Sequence, residues 1–290
     1  MRFYHSSRFT FKCKLFSETC PNIAEIRRTV MKISIRASLR PVRGSDVHPL
    51  KWAFEEGKKL GFDGLELCMQ AGAGTFDLAG SWTQESVASV KALCEQDKMS
   101  IYSLSSDWAW TYASFFPRLK GWGRGVELIA DDAKLAKELG AHTILMHFAT
   151  SKGSWEDCKG LLKDVAMVGE DTGVALGYEA NIWERLGFGG LDSLCRMTDE
   201  VGSSYFGVYL HNAYPRAGLP LHEEVVKAGK RLVKVMHSSS LLSGRVEIDF
   251  ETAFAAMKTY FSEGVYTFEV PWEEAEENKK LLDEMIARYW

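Results

Sequence analysis

Short apolar runs alternate with charged, amphipathic stretches from Met31 to the end of the chain. Runs such as "FDGLELCM", "AHTILMHFA" and "VALGYEANIW" have the composition of buried strands. The stretches between them repeat apolar residues at helical spacing, as Leu128, Leu135 and Leu139 do. Eight strand and helix pairs follow one another in this way. Parallel strands covered by helices have this order, and eight pairs favour closure into a (β/α)8 TIM barrel over an open doubly wound sheet.

Glycines and one absent motif refine this prediction. A helix often ends at a left-handed glycine. Six glycines fall near the predicted helix ends: Gly61, Gly140, Gly173, Gly202, Gly229 and Gly264. No GxGxxG motif follows the first strand, which disfavours a Rossmann domain.

Residues 1–30 differ from the rest of the chain. The segment "MRFYHSSRFTFKCKLFS" has no acidic residue and carries several basic ones, so a transit peptide or an interfacial anchor is one interpretation. We expect instead an N-terminal extension, because "MKISIRASLR" from Met31 has the pattern of a first barrel strand. The predicted domains are therefore the extension at 1–30 and the barrel at 31–290.

Composition narrows the functional classes. The chain has 290 residues, of which 46% are hydrophobic, enough for one large domain with a core. Its 35 basic and 39 acidic residues give a net charge of -4, which disfavours a nucleic-acid partner. The six cysteines form no CxxC pair, as is typical of a reducing compartment. No run reaches the roughly 18 apolar residues of a membrane span, so we expect a cytoplasmic protein without a membrane partner.

A polar residue interrupts each of the last four apolar strands near its C-terminal end. These residues are Glu179, His211, His237 and Glu269. Successive members are about one strand and helix unit apart, so a barrel would carry all four around the mouth where this fold has its active sites. A divalent cation would neutralise both acids and accept the histidine lone pairs, so the four together favour a metal site. Taken singly, each would more commonly be hydrogen-bonded to a loop.

Five further positions are candidate substrate contacts: Glu66, Trp108, His147, Trp183 and Arg245. Glu66 and His147 end predicted strands, and flat aromatic faces stack on sugar rings. The alternatives are a loop anchor at Glu66, a structural histidine, packing for the two tryptophans and a solvated loop arginine.

Several segments, in order along the chain, resemble a known family. They are "GFDGLEL", "ELGAHTILMH", "GYEAN", "VKVMHSSS" and "GRVEIDFETAFAAMKTYFSEGVYTFEV". From about Met31 onward the chain resembles the xylose isomerase-like TIM barrels, which include sugar isomerases, ketose 3-epimerases, inosose dehydratases and endonuclease IV. Each segment is weak alone, but their order and spacing are fairly specific for this superfamily.

The resemblance implies a metal held by Glu, Asp, His and Glu from strands five to eight, with both glutamates acting as acid and base. Glu179, His237 and Glu269 match, whereas His211 stands where the aspartate is expected. A histidine makes the ligand set less hard, so we expect manganese, with zinc, cobalt, iron or magnesium as alternatives. His211 contacting substrate, with Asn212 nearby, is the other interpretation. The serines at 238–240 are a second departure, since they stand where an acid should follow the histidine.

The expected chemistry is proton abstraction next to a carbonyl. A cation could hold the oxygens of a hydroxy-ketone and stabilise an enediolate as the α-proton leaves to Glu179 or Glu269. The expected function is thus a divalent metal-dependent sugar isomerase or epimerase, and the resemblance implies a homo-oligomer. A lyase or dehydratase acting on an inosose or a 3-oxo-glycoside is the alternative. An endonuclease IV-like phosphodiesterase is less favoured, because only seven histidines are available for a zinc cluster.

Overall fold

Eight parallel strands form the sheet of this computed structural model. The structure describes residues 31–38, 49–69, 82–106, 122–146, 154–212, 219–242 and 248–290. The strands are β1 (Lys32–Ser38), β2 (Gly64–Met69), β3 (Ser100–Ser106), β4 (Thr143–Met146), β5 (Ala175–Glu179), β6 (Phe206–Tyr209), β7 (Val235–Ser238) and β8 (Val265–Phe268). The predicted extension at 1–30 lies outside the described residues, so its boundary stays a prediction.

Helices separate these strands. They are α1 (Pro49–Lys59), α2 (Gln84–Asp97), α3 (Trp122–Leu139), α4 (Trp155–Thr172), α5 (Ala180–Arg185), α6 (Leu191–Val201), α7 (Leu221–Ala228), α8 (Phe250–Tyr260) and α9 (Trp272–Tyr289), with a short 3-10 helix at Gly229–Arg231. Within the part of the chain that the structure describes, no helix is long and apolar enough to cross a membrane.

The sheet closes on itself. Its strand order is β6-β5-β4-β3-β2-β1-β8-β7, and every neighbouring pair is parallel. Two parallel bridges, Val208 with Leu232 and His211 with His237, join the remaining edges. We call this junction the β6–β7 seam. The predicted (β/α)8 TIM barrel is confirmed.

Apolar residues fill two regions of the barrel. A large cluster joins strand residues such as Ile33 to helix residues such as Phe54, and it packs the helices against the sheet. A small cluster consists of Leu145, Tyr209, Val233, Val235 and Val265. Its members alternate along the strands with residues of the large cluster, such as Met236 and Tyr266, so they face the barrel interior.

Helix ends follow the local sequence with one exception. α4 begins after Ser154, whose side chain accepts a hydrogen bond from the Asp157 backbone N–H, and it ends at Gly173 with φ 78°. Four of the other predicted glycines also have positive φ. The prediction is wrong for Gly264, whose φ is not positive. A glycine is needed there for space, because a Cβ would collide with the Phe261 ring.

The run "VALGYEANIW" contains a strand and a helix rather than one strand. β5 ends at Glu179, and α5 begins at the next residue. The predicted strand is thus wrong beyond Glu179, because Ile182 and Trp183 turn back into the core as part of a helix.

Candidate metal and catalytic site

Glu179, His211, His237 and Glu269 meet at the C-terminal mouth of the barrel. Glu179 ends β5, His237 lies in β7, and the other two closely follow β6 and β8. The Oε1 atom of Glu179 lies 3.2 Å from Nδ1 of both His211 and His237. The Oε2 atom of Glu269 lies 3.5 Å from His211 Nε2 and from His237 Nδ1. The structure therefore brings the four predicted residues together.

The donor atoms of this group suit a divalent cation. One donor atom from each of Glu179, His211 and His237 lies within 4.8 Å of the other two. Ligand bonds of about 2.0–2.2 Å place neighbouring ligand atoms roughly 3.0–3.5 Å apart, which is the separation found between these donors. His211 Nδ1 is buried and has no hydrogen-bond partner among the described residues, as fits a nitrogen directed at an ion. Two imidazole nitrogens with two carboxylates suit manganese, zinc, cobalt and iron.

Negative charge surrounds His237. Its ring is fully buried, and Nε2 lies 2.6 Å from Glu66 Oε1. Burial alone would lower the pKa of His237, but the charges of Glu66 and Glu269 and the hydrogen bonds to Glu179 and Glu66 raise it to about 10. The field that holds this proton also attracts a metal ion, which would compete for Nδ1.

Glu66, a predicted substrate contact, lies on the Nε2 side of His237. Its carboxylate is fully buried. The Oε2 atom accepts hydrogen bonds from Ser103 Oγ at 2.6 Å and from the Tyr209 hydroxyl at 2.8 Å. Burial alone would raise the pKa of Glu66, but the charge and hydrogen bond of His237 and the charge of Arg36 lower it. Glu66 is therefore an ionised acceptor with protein donors on both of its oxygens.

Arg36 on β1 joins Glu66 to Glu269. Its Nη1 atom donates to Glu269 Oε1, and its Nε atom lies 3.8 Å from Glu66 Oε1. Its Nη2 atom donates to Cys68 Sγ at 3.1 Å and to Ser105 Oγ at 3.2 Å. The two oxygens of Glu269 thus face different partners, Oε1 the guanidinium and Oε2 the histidines.

The Tyr209 hydroxyl keeps its proton in this environment. Burial and the charge of Glu66 raise the pKa of Tyr209 well above its usual value. The phenol therefore acts as a donor to the ionised carboxylate.

The other predicted substrate contacts lie apart from this group or outside the described residues. Trp183 is fully buried, its indole N–H donates to Ser193 Oγ at 2.7 Å, and its ring packs edge-on against Tyr178. The positions of Trp108, His147 and Arg245 lie outside the described residues.

A separate polar chain lies beside the site. Asn212 Nδ2 donates to the Tyr266 hydroxyl at 2.8 Å, and that hydroxyl donates to Ser238 Oγ at 2.9 Å. The backbone N–H of Asn212 also donates to the His237 carbonyl. Ser238, which stands at one of the departures from the family pattern, is thus hydrogen-bonded within the protein and fixes the end of β7.

Four residues of the site were not predicted from the sequence: Arg36, Ser103, Ser105 and Tyr209. A signal for Arg36 was available in the β1 sequence "KISIRAS", where polar and apolar residues alternate. Its buried neighbour on the same face is Ser34, which bonds to Thr267 on β8. An arginine at an inward position near the mouth of a barrel requires acidic partners there.

A family comparison agrees with this architecture. The family model of xylose isomerase-like TIM barrels matches residues 54–288. The chain belongs to this family. Among proteins with curated functions, none matches the chain in sequence.

Several solved structures resemble this xylose isomerase-like barrel in fold. D-allulose 3-epimerase from Methylomonas sp., in complex with D-allulose, has a TM-score of 0.68 at 17% identity and covers 90% of this chain and 98% of its own. The 3-keto-D-glucoside 4-epimerase from E. coli has a TM-score of 0.64 at 16% identity, covering 89% and 99%. AP endonuclease family 2 from Brucella melitensis has a TM-score of 0.61 at 14% identity, covering 88% and 99%. Likeness at these identities establishes the fold.

Proposed function

We propose that this xylose isomerase-like barrel is a divalent metal-dependent sugar isomerase or epimerase. The observation that carries the proposal is the convergence of Glu179, His211, His237 and Glu269 at the mouth. These four residues would hold the cation, and manganese is the ion we propose. The sugar epimerases among the structures of similar fold support the substrate class.

Glu179 and Glu269 are the proposed acid and base. A bound divalent cation would polarise a substrate carbonyl and make the neighbouring C–H more acidic. The side chain of Glu179 is 4% exposed and that of Glu269 is 34% exposed, so the two carboxylates meet a substrate from different environments. One would take the α-proton, and the other would return a proton to the opposite face, which inverts that carbon.

Elimination on the same scaffold is the second candidate. Arg36 donates to one oxygen of Glu269, so the two carboxylates are not equivalent. Epimerisation needs a proton carrier on each face of the substrate, whereas elimination needs one base and a proton for the leaving group. This asymmetry supports a lyase acting on an inosose or a 3-oxo-glycoside as the alternative reaction.

We retain Trp108, His147 and Arg245 as proposed substrate contacts, because each follows a strand whose C-terminal end forms the mouth. Glu66 and Trp183 are proposed to act from behind the site. Glu66 acts through His237, and Trp183 supports the core next to Glu179. A homo-oligomer and a cytoplasmic location stay predictions.

Metal analysis of the purified protein, combined with deuterium exchange, tests this proposal. We expect a bound divalent metal, and we expect solvent deuterium to enter the carbon next to the carbonyl in at least one member of a panel of ketoses and 3-oxo-glycosides. Glu179→Gln and Glu269→Gln should each slow this exchange by about 10²–10⁴-fold. Glu184→Gln, on the exposed side of α5, is the matched control and should leave the rate unchanged.

The product separates the two reactions, because an epimer indicates the first candidate and an unsaturated sugar with a released group indicates the second. A protein that contains no metal, binds none when it is supplied and exchanges no substrate proton would overturn both.

A further inference from the structure

We propose that Arg36 and Glu66 form a buried positioning pair that fixes Glu269 and His237 in the orientation needed to bind the cation. This inference rests on the proposed metal site. The two side chains lie 3.8 Å apart, and their exposed fractions are 14% and 0%. Each contacts a different proposed ligand, Arg36 contacting Glu269 and Glu66 contacting His237.

Glu66 decides which nitrogen of His237 faces the cation. An ionised carboxylate can only accept a hydrogen bond, so the contact of 2.6 Å with Glu66 Oε1 requires a hydrogen on Nε2. Nδ1 is then the nitrogen with a lone pair to offer, and Nδ1 is the atom that faces Glu179 and Glu269. The carboxylate thus sets both the tautomer and the orientation of the ring.

Glu66 is itself held rigidly. Ser103 and Tyr209 both donate to its Oε2 atom, and the guanidinium of Arg36 lies beside Oε1. Because both oxygens have protein partners in a fully buried position, the carboxylate cannot rotate toward the mouth without losing several hydrogen bonds.

Arg36 does for Glu269 what Glu66 does for His237. Glu269 is the most exposed of the four proposed ligands, so its carboxylate would otherwise be the least ordered. The guanidinium engages Oε1 and leaves Oε2 at 3.5 Å from both histidine rings. The hydrogen bonds from Arg36 to Cys68 and Ser105 hold the guanidinium plane in turn.

The sign of the effect on metal affinity separates positioning from simple charge. A positive charge next to a metal site repels the cation, so removing Arg36 should tighten metal binding if the residue acts by charge alone. If Arg36 orients Glu269, the same change should weaken binding.

Calorimetric titration of the metal-free full-length chain with Mn²⁺ tests the pair. Arg36→Met and Glu66→Gln should each weaken Mn²⁺ binding by about 10–100-fold, the usual effect of losing an outer partner of a ligand. Arg36→Lys keeps the charge but loses the fork of donors, so it should also weaken binding, though by less than Arg36→Met. Arg231→Met is the matched control, since Arg231 donates to both oxygens of Asp199 at 2.7 Å before β7, and it should leave affinity within about twofold of wild type.

Two further measurements keep the test decisive if a single variant unfolds. The double variant Arg36→Met/Glu66→Gln leaves neither charge of the pair unpaired, and it should still bind Mn²⁺ at least about tenfold more weakly than wild type. Nitrogen-15 NMR of His237 in the zinc-loaded protein should show the Nε2–H tautomer in wild type and a loss of that preference in Glu66→Gln.

The outcomes are distinct. Wild-type protein that binds no Mn²⁺ would overturn the proposed function together with this inference. Wild type that binds Mn²⁺, with Arg36→Met or the double variant binding as tightly or more tightly, would overturn the positioning pair alone.

Discussion

At the scale of single residues, His211 is the ligand position that differs from the family pattern. A carboxylate there would offer a hard oxygen donor, and the imidazole offers a softer nitrogen. We expect His211→Asp to raise the affinity for Mg²⁺ relative to Zn²⁺ by about tenfold or more. Competition titration of the metal-free protein against a chelator with both ions measures this ratio. His222→Asp on α7 is the control, because His222 lies near Glu223 and away from the mouth.

A ratio that does not change in His211→Asp would contradict a ligand role for this histidine. The interpretation in which His211 contacts substrate would then hold, and the variant should raise the KM for the sugar while metal affinity stays the same.

The residues of the site could be predicted from the sequence only in part. Glu179, His237 and Glu269 were found because a barrel brings the C-terminal ends of its strands to one mouth, so position within the strand was sufficient. The contact between Arg36 and Glu269 joins residues 233 positions apart. It depends on which side chains face inward across the closed β1–β8 edge, and strand patterns do not specify such pairings.

At the scale of elements, α7 carries an acidic residue within its buried stripe. Leu221, Val225 and Ala228 are buried, and Glu224 shares their helical spacing. Burial raises the pKa of Glu224 to about 7, and the charge of Lys227 offsets only part of this effect.

The pH dependence of stability follows from this shift. The pKa of Glu224 is higher in the folded chain than its ordinary value of 4.5, so the folded state binds the proton more tightly and stability falls as pH rises from 4.5 to about 7. Glu224→Gln should therefore exceed wild type in free energy of unfolding by roughly 2 kcal/mol at about pH 8 and by little at about pH 4. Urea unfolding across this range measures the difference. Glu223→Gln, on the exposed face, should show no such pH-dependent gain, and an equal gain for Glu224→Gln at both pH values would contradict the prediction.

The elements themselves were largely predictable, because alternating apolar runs and helical periodicity extend over the whole barrel. α5 was missed since its six residues are too few to show a periodic pattern, and its start directly after β5 leaves no loop to mark the boundary. The placement of Trp183 followed from that error. An aromatic residue thought to follow a strand in a loop lies instead on a helix packed into the core.

At the scale of the whole molecule, the proposed metal site spans the β6–β7 seam. This junction is held by two bridges, one of which pairs His211 with His237. The other seven neighbouring pairs each have four or more residues in register. A cation bound by these two histidines would add a link across the least extensively paired junction of the barrel.

Metal binding should therefore stabilise the fold as well as support chemistry. Mn²⁺ at about 100 times its Kd should add roughly 2.7 kcal/mol to the free energy of unfolding, because only the folded chain brings the ligands together. For a domain of this size we expect Tm to rise by about 5–10 °C between chelator-treated and Mn²⁺-loaded protein in scanning calorimetry. Hydrogen exchange should show the largest gain in protection at β6 and β7. Glu179→Gln should lose most of the rise, and an equal rise in that variant would mean that the ion binds elsewhere on the chain.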